Sequence, residues 1–121
     1  MTTQELKKRT FDFAVRVVHA VEALPKTDTA RALGKQLLRA ATSVGANYRA
    51  AARARSRADF IAKLGIVEEE CDESSYWMEL IAALKLIRKS RLSDLQTEAE
   101  QLLKIIVASI NTARRGSRTT K

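Results

Sequence analysis

Apolar residues recur at alternating intervals of four and three along most of the 121-residue chain, which is the pattern of amphipathic α-helices. Four such stretches follow one another and predict four helices joined by short connections. Short connections between long helices favour antiparallel neighbours. The sequence therefore predicts an all-α fold, an antiparallel up-down-up-down four-helix bundle.

The first predicted helix runs from about Thr3 to Leu24 and ends at Pro25, because proline lacks an N–H group. The second begins near Thr27 or Asp28, either of which can cap exposed N–H groups. Two glycines inside the second helix each cost about 1 kcal/mol of helix propensity against alanine, which indicates that a close helix contact is gained in return. The expected core positions of these two helices are Leu6, Thr10, Phe13, Val17, Ala20, Leu24, Leu33, Leu37, Ala40, Val44, Asn47 and Ala51. On the first helix, Phe11, Ala14, Val18 and Val21 are expected to widen this stripe into a face suited to a bundle core.

The third helix is expected to begin at Ser56, with Asp59 three residues later in a variant of the capping box. Its apolar pattern continues to about Ile87. Ser93 with Gln96 is expected to cap the fourth helix. The core positions predicted for these helices are Phe60, Leu64, Val67, Cys71, Ser74, Met78, Ile81, Leu95, Leu102, Leu103, Ile106, Val107 and Ile110.

Length and composition agree with a single helical domain. The chain has the modal length of one domain, only four glycines and one proline, and few aromatic residues. We assign the four-helix bundle domain to residues 1–114. Residues 115–121 are polar and basic without an apolar anchor, and we expect them to form a flexible C-terminal tail.

Positive charge is concentrated at one end of the predicted bundle. The formal net charge is +8, from 22 Lys and Arg against 14 Asp and Glu. In this topology the start of the first helix, the junction of the second and third, and the end of the fourth share one end. We expect that end to contact nucleic-acid phosphates. The candidate nucleic-acid-binding residues are Arg49, Arg53, Arg55, Arg57, Lys63, Arg114, Arg115 and Arg118.

Other interpretations of this charge stay open. A basic helical surface can simply be solvated, and Arg near a helix C-terminus interacts favourably with the helix dipole. The same surface is also compatible with an acidic protein partner. The sequence shows no surface aromatic residues interleaved with the basic ones, so we expect contacts to backbone or shape and no base stacking.

The chain shows no pattern of catalytic or metal-binding residues. Its one histidine, His19, and its one cysteine, Cys71, lack partners at suggestive spacing, and Cys71 falls among core positions as a buried, inert thiol. The acidic residues between positions 68 and 73 are nearly consecutive on one helix, so they point around it and do not converge. We predict no cofactor, no metal site and no enzymatic activity.

A polar group on the second helix is expected to have a structural role. Asn47 occupies a core position with Ser43 one turn before it, and a buried Asn requires hydrogen-bond partners. Glu70 and Glu73 of the third helix are the predicted partners. Such a polar core residue can fix helix register or oligomeric state.

The start of the chain lacks the charged-then-apolar pattern of a signal peptide, and no apolar run approaches membrane-spanning length. We therefore expect no membrane association and a cytoplasmic location.

Two segments resemble a known bacterial family. They are RAATSVGANYR at 39–49 and SRADFIAKLGIVEEE at 56–70, the second followed by DESSYW at 72–77. Together they are similar to the bacterial four helix bundle protein family, whose members include proteins encoded in intervening sequences of large-subunit ribosomal RNA genes. These proteins are related to the accessory variability determinant of diversity-generating retroelements. The resemblance covers nearly the whole chain, and its most specific part is the pairing of Ser-Val-x-x-Asn with Asp-Phe-Ile-x-x-Leu.

This resemblance implies a four-helix bundle that assembles as a ring-like homopentamer. For the retroelement relatives it implies a basic surface that engages nucleic acid and a reverse transcriptase. One departure is Ala50, where the family often has Glu; it makes this end of the bundle more basic. Two hypotheses result: an oligomeric protein that binds RNA or DNA backbones largely without sequence preference, or a protein-interaction adaptor such as an accessory subunit of a retroelement reverse transcriptase.

Overall fold

The computed structural model describes residues 1–119, and for residues 117–119 it describes the backbone alone. Four helices follow one another: α1 (Thr3–Glu22), α2 (Asp28–Ala52), α3 (Arg57–Ala83) and α4 (Lys89–Thr119). Residues 1–119 contain no strand. Each helix packs against the next, and α4 returns to pack against α1. The prediction of an all-α up-down-up-down four-helix bundle is confirmed.

Side-chain caps begin the first three helices. The hydroxyl oxygen of Thr2 accepts a hydrogen bond from the Glu5 N–H, and the Glu5 carboxylate accepts one from the Thr2 N–H, both at 3.1 Å. Thr27 caps α2, as predicted. Ser56 caps α3 by accepting a hydrogen bond from the backbone of Asp59. The reciprocal half of that predicted capping box is absent here, because the Asp59 carboxylate pairs with Lys63 at 2.5 Å.

The α3–α4 connection differs from the sequence-based prediction. Helix α3 ends at Ala83, four residues before the predicted end, and Lys85 adopts a positive φ of 55°. Helix α4 begins at Lys89, so it does not start at Ser93. The apolar pattern misled the prediction because Leu86 and Ile87 still pack on the core after the chain has left the helix.

The core follows the main stripes predicted for α1, α2 and α3. Leu6 to Ala20 of the main α1 stripe are buried, as are the α3 positions from Leu64 to Ile81, and the α2 stripe is buried at Leu37, Ala40, Val44 and Ala51. On α2 the expected Asn47 is only half-buried, and the neighbouring Tyr48 is buried instead. Ala30, Gly34, Ala41 and Gly45 are buried as well. These small residues widen the buried face of α2, which packs against both α1 and α3.

Helix α4 continues beyond the predicted end of the bundle domain. It runs through residues 115–119, which the sequence assigned to a tail, and Gly116 lies against α3. A Cβ built on Gly116 would lie 3.4 Å from Cζ of Arg57. The division into residues 1–114 and 115–121 stays a prediction, and residues 120 and 121 lie outside the described residues.

An ion pair joins α1 to α4. The guanidinium of Arg9 donates two hydrogen bonds to the Glu98 carboxylate, at 2.7 and 2.8 Å, and a third to the side chain of Gln101. The hydrogen bonds to Glu98 raise the pKa of Arg9. This pair takes Arg9 out of the set of cations that are available to a ligand.

Candidate nucleic-acid interface

A shallow groove lies where α1 begins and α2 ends. Gln4 and Lys7 of α1 and Arg49 and Arg53 of α2 line this cavity of about 490 Å³, which we call the basic groove. Two of the predicted binding residues, Arg49 and Arg53, thus meet in one site. Lys7 joins them because α1 and α2 are antiparallel neighbours.

The close approach of α1 and α2 positions these cations. A Cβ built on Gly45 would lie 3.3 Å from Oγ1 of Thr10 and 3.5 Å from its carbonyl carbon. Lys7 lies one turn before Thr10, and Arg49 lies one turn after Gly45. Because the two backbones touch at this contact, the two long basic side chains leave their helices at the same level.

The cations of the basic groove carry uncompensated charge. None of Lys7, Arg49 and Arg53 forms an ion pair with a carboxylate of the described part of the chain. The neighbouring Lys8, in contrast, pairs with Asp12 at 2.9 Å. Three like charges that converge without a counter-charge form a surface that attracts anions.

An exposed aromatic ring lies beside the basic groove. The Phe11 side chain is 54% exposed, and Cζ of Arg49 lies 5.8 Å from the centroid of its ring. The expectation that no aromatic residue accompanies the basic ones was therefore wrong. The expectation that Phe11 widens the core stripe was also wrong, because Phe11 and Phe13 are about 160° apart around α1 and only one of them can face the core.

The other predicted cations surround the same end of the bundle without joining the basic groove. Lys63 is engaged with Asp59. Arg55 is exposed in the α2–α3 connection, Arg57 lies against Gly116, and Arg114 and Arg115 are exposed near the end of α4. Of this set, the side chain of Arg118 lies outside the described residues.

Comparison with known proteins assigns a family. The family model described as 23S rRNA-intervening sequence protein matches residues 2–108 of this chain. The chain belongs to the 23S rRNA-intervening sequence protein family. The resemblance inferred from the Ser43–Asn47 and Asp59–Leu64 motifs is therefore confirmed.

A solved structure supports the same relationship. The chain is similar to a protein of unknown function from the S23 ribosomal protein family of Bacteroides thetaiotaomicron, with a TM-score of 0.84 and 34% sequence identity. The match covers 92% of this chain and 99% of that one. No curated protein sequence is significantly similar to this chain. Neither the matching family nor the solved structure is described as an enzyme.

The polar residues of this family member lie in two separate groups. On α2, Nδ2 of Asn47 donates to the carbonyl oxygen of Ser43 at 2.9 Å, and the Ser43 hydroxyl donates to the carbonyl oxygen of Arg39. On α3, Glu70 and Glu73 both accept hydrogen bonds from the Arg39 guanidinium. Glu73 also accepts a hydrogen bond from Nε1 of Trp77, at 3.2 Å.

The predicted pairing of Asn47 with Glu70 or Glu73 was therefore wrong. Arg39 fixes the register of α2 against α3, and Asn47 lies eight residues farther along α2, or roughly 12 Å at 1.5 Å per residue. That displacement places Asn47 at the level of the first half of α3. The distance is too long for a hydrogen bond, so a local carbonyl group satisfies the amide.

The residues considered for other chemistry lie apart from the basic groove. Cys71 is buried, as expected from the core pattern, and burial together with the charges of Glu70 and Asp72 raises the pKa of its thiol to about 12. His19 is exposed on α1. Within residues 1–119, no three His, Cys, Asp or Glu side chains are grouped closely enough to hold a metal ion. No described helix is long and apolar enough to cross a membrane.

Proposed function

We propose that this protein is a non-enzymatic nucleic-acid-binding protein whose basic groove contacts phosphates of the RNA or DNA backbone. The observation that carries the proposal is the convergence of Lys7, Arg49 and Arg53 without a carboxylate partner in the described chain. A guanidinium presents a planar fork of donors that matches the oxygens of a phosphate, and an ammonium adds a point charge.

The surrounding cations favour an extended anion over a small one. Arg55, Arg57, Arg114 and Arg115 lie around the same end of the bundle. A polymer with regularly spaced phosphates can engage the groove and these outlying cations together. Backbone contacts carry no sequence information, so binding is expected to depend steeply on salt and little on sequence.

The first prediction concerns the basic groove itself. Lys7→Ala/Arg49→Ala/Arg53→Ala should weaken binding of labelled RNA and duplex DNA about tenfold or more, because three phosphate contacts are lost. For duplex DNA, the slope of log affinity against log salt should become shallower by roughly 2 to 3. Fluorescence anisotropy titrations at several salt concentrations measure both quantities.

The matched control removes the same charge from the opposite end of the bundle. Arg88, Lys89 and Arg91 are exposed and line a second groove of about 810 Å³ at the α3–α4 connection. Arg88→Ala/Lys89→Ala/Arg91→Ala should leave affinity nearly unchanged. A loss in this control together with an unaffected groove variant would place the interface at the other end and overturn the proposal. If the wild type binds neither probe at low salt, the adaptor hypothesis, with a reverse transcriptase as one possible partner, becomes the leading one.

We also propose that the protein works as a homo-oligomer, with a pentamer as the expected state. Its support is the outer face of α3 and its C-terminal cap, where Ile66, Tyr76 and Leu84 are 45%, 57% and 49% exposed. These apolar side chains exceed what the bundle core needs, and a second copy can cover them. A ring would also repeat the basic groove and raise affinity for a long polyanion through multivalency.

The oligomer proposal predicts a mass of five times the 13.5 kDa of one chain in light scattering coupled to size-exclusion chromatography. Ile66→Glu should shift the mass toward that of one chain, because a charge cannot be buried in an apolar contact without a partner. A conservative Ile66→Val change should leave the mass unchanged. A monomeric wild type at working concentration would refute the proposal.

A further inference from the structure

Phe11 is exposed although it lies on a helix with a complete core stripe. On α1 the residues Leu6, Phe13 and Val17 fill the core, and Phe11 points away from them with about half of its side chain in solvent. An exposed phenyl ring lacks the hydrophobic stabilisation that the buried Phe13 ring gives to the fold. Its position next to unpaired cations therefore calls for a functional explanation.

The ring lines a second cavity that adjoins the basic groove and shares three lining residues with it. This cavity of about 360 Å³ is lined by Phe11, Gln4, Lys7, Arg49, Lys8 and Asp12. Three of these residues, Gln4, Lys7 and Arg49, also line the basic groove. Lys8 and Asp12 neutralise each other through their ion pair, so the net positive charge beside the ring comes from Lys7 and Arg49.

We propose that Phe11 is a stacking platform for an unpaired base of a single-stranded nucleic acid whose phosphates contact the basic groove. This inference rests on the proposed function and adds the class of ligand. A base has a planar π face that stacks on an aromatic ring, and its nucleotide carries the charge that the neighbouring cations attract. The Arg49 guanidinium, already placed over the ring, adds a second planar group for the base.

Charge complementarity selects this occupant over others. A second copy of this chain placed on Phe11 would bury Lys7 and Arg49 and would have to supply carboxylates to them. An acidic peptide satisfies the cations but leaves the ring without a specific partner. A single-stranded nucleic acid alternates phosphates with flat aromatic bases, whose π faces can stack, and these are the two chemical groups that this surface can bind. In a duplex the bases are already stacked and paired, so the ring gains nothing from duplex binding.

The test compares Phe11→Ala with the wild type on a single-stranded RNA of about 12 nucleotides that carries 2-aminopurine, and on the duplex of the same sequence. We expect the variant to lose about 5- to 100-fold in affinity for the single strand and less than about twofold for the duplex. Wild-type binding should quench the 2-aminopurine fluorescence through stacking, and Phe11→Ala should abolish this quenching. Phe11→Tyr should behave like the wild type.

The control is Val15→Ala, because Val15 is an exposed apolar residue one turn beyond Phe11 on α1 and lines neither the Phe11 cavity nor the basic groove. It should leave both affinities and the quenching unchanged. If Phe11→Ala binds and quenches like the wild type, the stacking platform is refuted while the proposed function stands. If the wild type binds neither the single strand nor the duplex, the proposed function itself fails. A lower assembly mass for Phe11→Ala would instead place the ring between copies of the chain and overturn the inference.

Discussion

Phe13→Ala is expected to lower the free energy of unfolding by about 3–5 kcal/mol, the largest change we predict for a single substitution in this chain. The Phe13 side chain is 1% exposed and belongs to the core cluster formed by all four helices. Removing the ring loses its transfer free energy and leaves a cavity that packed helices fill only in part. Urea denaturation followed by circular dichroism measures the loss, at a fixed protein concentration in case the chain associates.

The matched control for this prediction is Phe11→Ala, the same change two residues away on the same helix. Because the Phe11 ring is half in solvent and outside the core, its removal should change the free energy of unfolding by no more than about 0.5 kcal/mol. The two substitutions should therefore separate stability from binding: one weakens the fold and the other weakens the interaction with single strands. Equal losses of stability would contradict the placement of these two rings.

Gly45→Leu is expected to lower the free energy of unfolding by about 2–3 kcal/mol through overpacking. A Cβ at position 45 would already be in tight contact with Oγ1 of Thr10, at 3.3 Å, and would lie 3.5 Å from the Thr10 carbonyl carbon. The three further carbon atoms of a leucine side chain would therefore have to displace Thr10 or α1. Thr10 has little freedom to move, because it is buried and its hydroxyl donates to the carbonyl oxygens of Leu6 and Lys7. The helices must therefore separate, and thermal or urea denaturation reports the cost.

The control for this prediction is Gly65→Ala on α3. A Cβ at that position would meet no atom within 4 Å, so the change should raise stability by about 0.5–1 kcal/mol through helix propensity alone. Gly45→Leu should also weaken nucleic-acid binding, since Lys7 and Arg49 depend on the same helix contact for their spacing. A Gly45→Leu variant as stable as the wild type would show that α1 and α2 do not approach as closely as described.

The register between neighbouring helices determines several contacts that the apolar periodicity of the sequence does not predict. Asn47 and Glu70 both fall on predictable helix positions, but the pairing of Arg39 with Glu70 and Glu73 sets these helices so that Asn47 lies too far along α2. The end of α3 is a similar case. Leu86 and Ile87 continue an apolar pattern, but they reach the core from a connection in which Lys85 has left helical geometry.

The four helices, the cap at Ser56 and the main buried stripes of α1, α2 and α3 follow from the amino-acid sequence, because these features depend on the helical period and on groups three residues apart. The excess of basic residues that forms the candidate interface is also visible in the sequence. The packing of the helices, in contrast, determines which cations meet in the basic groove, which of them are neutralised, and that Phe11 lies beside them. Those outcomes depend on the distance and on the register between helices. Contacts between residues far apart in sequence, such as that of Thr10 with Gly45, set this distance and this register.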